Sequence, residues 1–126
     1  MNHNRILWVL QWVFGLYFIG IGINHFVVPA GLPDMLSWMY DLSDTQHTLA
    51  GTAEVLGGLG LILPSLTKIM PRLTVLAALG LIVVMVGAIV FHLPREEFLS
   101  IGTNAFNIIV LAYIAYGRAK LAPIEV

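Results

Sequence analysis

Cysteine is absent from this 126-residue chain. That excludes disulfides, thiol redox chemistry, thiolate-held iron–sulfur clusters and zinc–thiolate sites. Charge is also scarce: Asp, Glu, Lys and Arg together make 10% of the residues, against about 25% in soluble proteins. The net charge of −1 gives no reason to expect a nucleic-acid partner. Hydrophobic residues make up 59% of the chain and its mean hydropathy is +0.90. The broad class is therefore a polytopic membrane protein, and its length suits a single domain, 1–126.

Four apolar runs carry the fold. The first, 5–28, is longer than the roughly 7–15-residue core of a signal peptide, and it holds Trp8 and Trp12, so it reads as a retained transmembrane helix. Gly15 and Gly22 are seven apart on one face, which allows close helix contact. Pro29 and Gly31 then stop the helix. In 31–46, Leu32, Met35, Leu36 and Met39 follow a helical period beside Trp38 and Tyr40, which reads as a short interfacial helix. Ser43-Asp44-Thr45-Gln46 matches a capping box and starts a second span, 44–63, that Pro64 is expected to end. The third span, 71–93, has a mostly small face at Ala77, Gly80, Val84, Gly87, Ala88 and Phe91. The fourth, 95–117, opens on Pro94-Arg95-Glu96-Glu97, where two acids suit a helix N-terminus. The expected fold class is all-α: an antiparallel bundle of four transmembrane helices with a short interfacial helix between the first two.

Basic residues set the orientation. Arg5, Lys68, Arg72, Arg118 and Lys120 fall on one side of such a bundle, whereas only Arg95 falls on the other, with Asp34, Asp41, Asp44, Glu96 and Glu97. The positive-inside bias places both termini in the cytoplasm.

Glu54 is the residue most in need of an explanation. It lies inside an apolar, glycine-rich span, where a charged side chain costs about 2.5–3.5 kcal/mol on insertion scales, so it should face protein, water or a ligand. His25 and His92 fall at the outer ends of the first and third spans. Asn104 and Asn107 lie two to three turns into the fourth, on a face that Leu111 and Ile114 continue. Every strongly polar residue inside a span thus falls in the outer half, and the inner halves read as apolar. A bundle can bring these residues to one level. The expected site has Glu54 and His92 as proton-handling groups, and His25, Glu54, His92, Asn104 and Asn107 as ligand contacts. Glu54 beside a histidine would form a coupled pair whose proton shifts with a bound ligand. Two histidines and a carboxylate also make a ligand set for a single metal ion, but no short-spaced motif supports one, and no metal is expected. The plainer alternative is a polar cluster that only fixes helix packing.

AGTAEVLGGLGLILP (50–64) and LAALGLIVVMVGAIVFHLP (76–94) resemble the DoxX-like integral membrane proteins, whose second helix carries G-x-x-E-x-x-G-x-x-x-L-x-x-P. The matching residues are Gly51, Glu54, Gly57, Leu61 and Pro64, followed by Ala77, Ala78, Gly80, Leu81 and His92. GIGINHFVVP (20–29) is similar to the family's first-helix variant at His25, Phe26 and Pro29. Many relatives have a basic residue near that point, where this chain has Asn24-His25. The resemblance implies a four-helix membrane fold and a link to quinone or oxidative-stress chemistry. Its namesakes are membrane subunits of a thiosulfate:quinone oxidoreductase, whereas eukaryotic relatives are receptor-assembly chaperones. The expectation is a bacterial inner-membrane protein that binds a quinone-like or other small apolar molecule, with a quinone as the cofactor class in view. Its partners would be the lipid bilayer, that ligand, and a second copy or a redox subunit. The alternative is a non-catalytic assembly subunit.

Overall fold

The computed structural model describes residues 2–126. It contains four long helices, α1 (His3–Phe26), α2 (Asp44–Thr67), α3 (Arg72–His92) and α4 (Phe98–Tyr116), with a 3-10 helix at Asp34–Asp41. All four are long and apolar enough to cross a membrane, as the composition requires. The helices pack in chain order, α1 on α2, α2 on α3 and α3 on α4. Leu7, Phe18, Leu61, Leu81, Leu111 and Ile114 form a shared core. The outward faces carry residues such as Val13, Leu56, Val83 and Ile109, which belong against lipid tails. The end bearing the two termini is called proximal below, and the end bearing residues 27–43 and 93–97 distal.

The seam between α1 and α2 is built on glycine. A Cβ at Gly22 would stand 2.9 Å from the Gly51 carbonyl oxygen, and one at Gly58 would stand 2.6 Å from the Gly15 carbonyl oxygen. Between helices in lipid, association rests on packing and polar contacts, so such close approach is itself cohesive.

Several boundaries differ from the sequence expectation. The Ser43–Gln46 capping box forms, but Pro64 lies inside α2, which runs on to Thr67. Proline removes one N–H from the ladder and its ring crowds the carbonyl four residues back, here that of Gly60, and membrane helices tolerate this when neighbours supply polar partners. The helix stops instead at Lys68, in a left-handed conformation with φ 59°. At the other turn, Leu93–Arg95 is a 3-10 turn, Glu96 has φ 57°, and α4 starts only at Phe98. Glu96 and Glu97 therefore precede the helix rather than open it, and Glu97 spends its carboxylate on side chains. The buried face of α3 is Thr74, Ala78, Leu81, Met85 and His92. The small stripe is offset from it: Gly80 and Gly87 have open space where a Cβ would be.

The proximal half is not apolar, contrary to expectation. Gln11 Nε2 donates to the Leu61 carbonyl (2.6 Å) and Ser65 Oγ (3.1 Å), and Ser65 Oγ meets Thr74 Oγ1 at 2.8 Å. Arg118 Nε donates to Gln11 Oε1 at 2.6 Å, and its Nη1 to Asn4 Oδ1 and the Ala122 carbonyl. The guanidinium lies over Trp8, 5.1 Å from the ring centre. Arg118 is only 4% exposed, so it is no freely solvated flanking charge. One network thus joins α1, α2, α3 and the π-helical turn Gly117–Leu121 that continues α4, drawn from residues too mild, or too near a terminus, to stand out in the sequence.

Candidate functional site

α2 presents His47, Gly51, Glu54 and Gly58 along one face, at the four-three-four spacing of a helix. The notch left by Gly51 is what admits His25 from α1: a Cβ there would stand 2.9 Å from the His25 Cβ. Seated in the notch, His25 reaches both polar neighbours of the glycine. Its Nδ1 lies 2.9 Å from His47 Nδ1, and its Nε2 lies 3.3 Å from Glu54 Oε2. The latter separation is within ion-pair reach but off-line for a hydrogen bond, and Glu54 Oε2 has no hydrogen-bond partner among the described residues. Both His25 and Glu54 are 5% exposed. His47 Nε2 reaches the Met39 carbonyl at 2.9 Å, which anchors the 3-10 helix to α2.

His92 stands apart from this pair. Its Nδ1 lies 3.0 Å from Glu97 Oε1, which also accepts from Arg95 Nε at 2.6 Å. Arg95 Nη2 in turn bonds Asp41 at the end of the 3-10 helix. The Arg95 guanidinium holds the Glu97 carboxyl below the usual carboxylate range, partial burial opposes this, and His92 adds to it. Trp38 fills the space between the two histidines, 4.9 Å from the His92 ring at near right angles and 6.3 Å from the His25 ring. The coupled carboxylate–histidine pair is therefore Glu54 with His25, whereas His92 pairs with Glu97.

These groups border one cavity of about 570 Å³ in the distal half of the bundle. Its wall is mainly apolar, with Phe18, Met85 and Phe91 from the helices and Met35, Leu36 and Trp38 from the 3-10 segment above. His25, Glu54, His92, Asn104 and Asn107 all line it. Asn107 Nδ2 has a weak contact to Met85 Sδ at 3.7 Å, and the buried Asn104 Nδ2 has none. A mostly apolar hollow with a few convergent polar groups is the usual form of a small-molecule site.

A sequence model of the DoxX-like family matches residues 9–117, a stretch that takes in α2, α3 and α4, all of α1 after Trp8, and every residue named in the cavity wall. The chain belongs to the DoxX-like family. Among curated proteins and solved structures, no match was found. In this DoxX-like protein, His47 is the polar residue that the sequence reading passed over. It sits seven residues before Glu54 with Gly51 between them, and that shared stripe was the available signal.

Proposed function

We propose that this DoxX-like protein binds a small, mostly apolar molecule bearing polar oxygens, of the quinone class, in the distal cavity. The observation that carries this reading is the pair of unpartnered buried atoms, Glu54 Oε2 and Asn104 Nδ2, in the wall of a cavity of about 570 Å³. A buried polar group without a partner costs roughly 1–3 kcal/mol, and a ligand oxygen at each would remove that cost. Asn104 Nδ2 is a donor and suits a carbonyl oxygen. Glu54 suits a carbonyl when protonated and a hydroxyl when ionised. Trp38, Phe18 and Phe91 supply flat apolar surface for a ring. If the protein serves an oxidoreductase, Glu54 and His92 handle protons while a partner subunit supplies electrons, since the chain carries no electron by itself without a bound cofactor. The distribution of Lys and Arg supports both termini in the cytoplasm, so the cavity would lie in the outer half of the membrane, which on this reading is a bacterial inner membrane.

The test is titration of the purified protein in nanodiscs with a short-chain benzoquinone, read by quenching of Trp38 fluorescence in a background with Trp8 and Trp12 changed to Phe. Glu54→Gln and Asn104→Ala should each weaken binding tenfold or more while the protein stays folded. Unchanged binding by a folded Glu54→Gln protein refutes the site.

A second reading, a non-catalytic assembly subunit, is favoured by one observation: His25, His47 and the Met39 carbonyl tie α1, α2 and the 3-10 helix together. On that reading Glu54→Gln lowers the melting temperature and no quinone binds the wild type.

A further inference from the structure

His47 takes no part in the binding reading, yet it joins the cavity's buried acid to a polar surface. On the far side of His25 lies a second, more polar recess of about 450 Å³, bordered by Tyr40, Asp44, His47 and Thr48. His25 borders both hollows. We propose that His47, His25 and Glu54 form a proton path between the distal recess and the apolar cavity.

The hydrogen-bond roles follow by elimination. The Met39 carbonyl can only accept, so His47 Nε2 carries a hydrogen and, in a neutral ring, Nδ1 is an acceptor. The facing Nδ1 of His25, 2.9 Å away, must then donate. This leaves His25 Nε2 as the accepting side of its ring, turned to Glu54 Oε2 at 3.3 Å. The trio thus holds one transferable proton. The proton rests on Glu54 as a carboxylic acid, or on either histidine as an imidazolium beside the carboxylate. In each form the trio is neutral, the only net charge that a buried site in a membrane holds cheaply.

Outward transfer then balances without electrons. After a small swing of its carboxyl, Glu54 gives its proton to His25 Nε2. His25 passes the hydrogen on Nδ1 to His47 Nδ1, and His47 Nε2, released from the Met39 carbonyl, gives its own to water in the recess. Glu54 is left as a carboxylate that accepts from the new N–H of His25; this state carries one negative charge, and a returning proton that retraces the steps restores the neutral trio. Asp44 and Tyr40 face the recess end. His92 and Glu97 lie across Trp38 and are bonded to each other, so they stand outside the path. The path does not depend on which molecule occupies the cavity.

His47→Gln separates relay from anchor. Its amide nitrogen can donate to the Met39 carbonyl and its oxygen can accept from His25 Nδ1, but an amide does not pass the proton on. In ¹⁵N-histidine-labelled protein reconstituted in lipid bilayers, solid-state NMR should show hydrogen–deuterium exchange at His25 slowed tenfold or more by His47→Gln. An unchanged rate overturns the path and leaves His47 as a structural tie. Should His47→Gln melt early, the wild-type spectrum decides. With both rings neutral, a single hydrogen between the two facing Nδ1 atoms, on His25 before transfer or on His47 after it, supports the path, and hydrogens on both Nε2 atoms overturn it. Benzoquinone binding is measured separately, so failure of the path is distinguishable from failure of the binding site.

Discussion

Replacing Gly58 by alanine should destabilise the protein by about 1–3 kcal/mol, the usual cost of forcing one carbon into a well-packed seam. The new Cβ would stand 2.6 Å from the Gly15 carbonyl oxygen, 2.8 Å from Ile19 Cγ1 and 3.0 Å from Ile19 N. Two of these three atoms are backbone, so a rotamer change cannot relieve the clash. Restoring ordinary contact at 3.4 Å requires α1 and α2 to part by roughly 0.8 Å there, with loss of dispersion along the seam. The Gly22–Gly51 contact and the His25–His47 bond lie on the same seam, so the effect should reach the distal site. Gly80→Ala is the matched control: nothing lies within 4 Å of its Cβ, and alanine is the better helix former by up to about 1 kcal/mol in water. The two changes, chemically identical, should therefore differ in sign or nearly so. Reversible unfolding in mixed micelles by titration with sodium dodecyl sulfate, followed by circular dichroism, measures both. A Gly58→Ala protein as stable as Gly80→Ala would refute the close-packed seam.

Two further outcomes are expected. Gln11→Leu strips Arg118 Nε, the Leu61 carbonyl and Ser65 of their shared partner and should cost at least ~1–3 kcal/mol. Adding Arg118→Met should recover part of that in the same unfolding assay, because the buried guanidinium whose Nε lost its partner is then gone. The Glu97 carboxyl is held below its ordinary value by Arg95, so its contribution is present above the unfolded carboxylate pKa of about 4.3. That contribution fades as pH falls through the lower folded value. Melting temperature against pH should accordingly show a wild-type advantage over Glu97→Gln at neutral pH that vanishes on acidification below about pH 4. An advantage that persists would show that the His92–Glu97–Arg95 contact does not depend on the charge.

The sequence by itself determined the class and the span count, because composition and run length answer directly to the bilayer: a ~30 Å hydrocarbon core needs about 20 apolar residues per helix. It also marked Glu54, since an acid in such a run must find a partner, and it showed the family motifs around Gly51, Glu54 and Pro64. Tertiary structure decided the pairings. Glu54 meets His25 and not His92, because Gly51 opens a notch on the α1 side of α2 whereas Trp38 and Glu97 occupy the space around His92. His47 entered the site only once α1 packed against its face of α2. The proximal network of Gln11, Ser65, Thr74 and Arg118 was equally invisible, since none of the first three is charged and Arg118 looked like a solvated flank. Hydropathy reports how each residue partitions alone. Which polar groups share a hydrogen bond depends on the rotation and separation of neighbouring helices, and here those are set by where glycine lets two backbones touch.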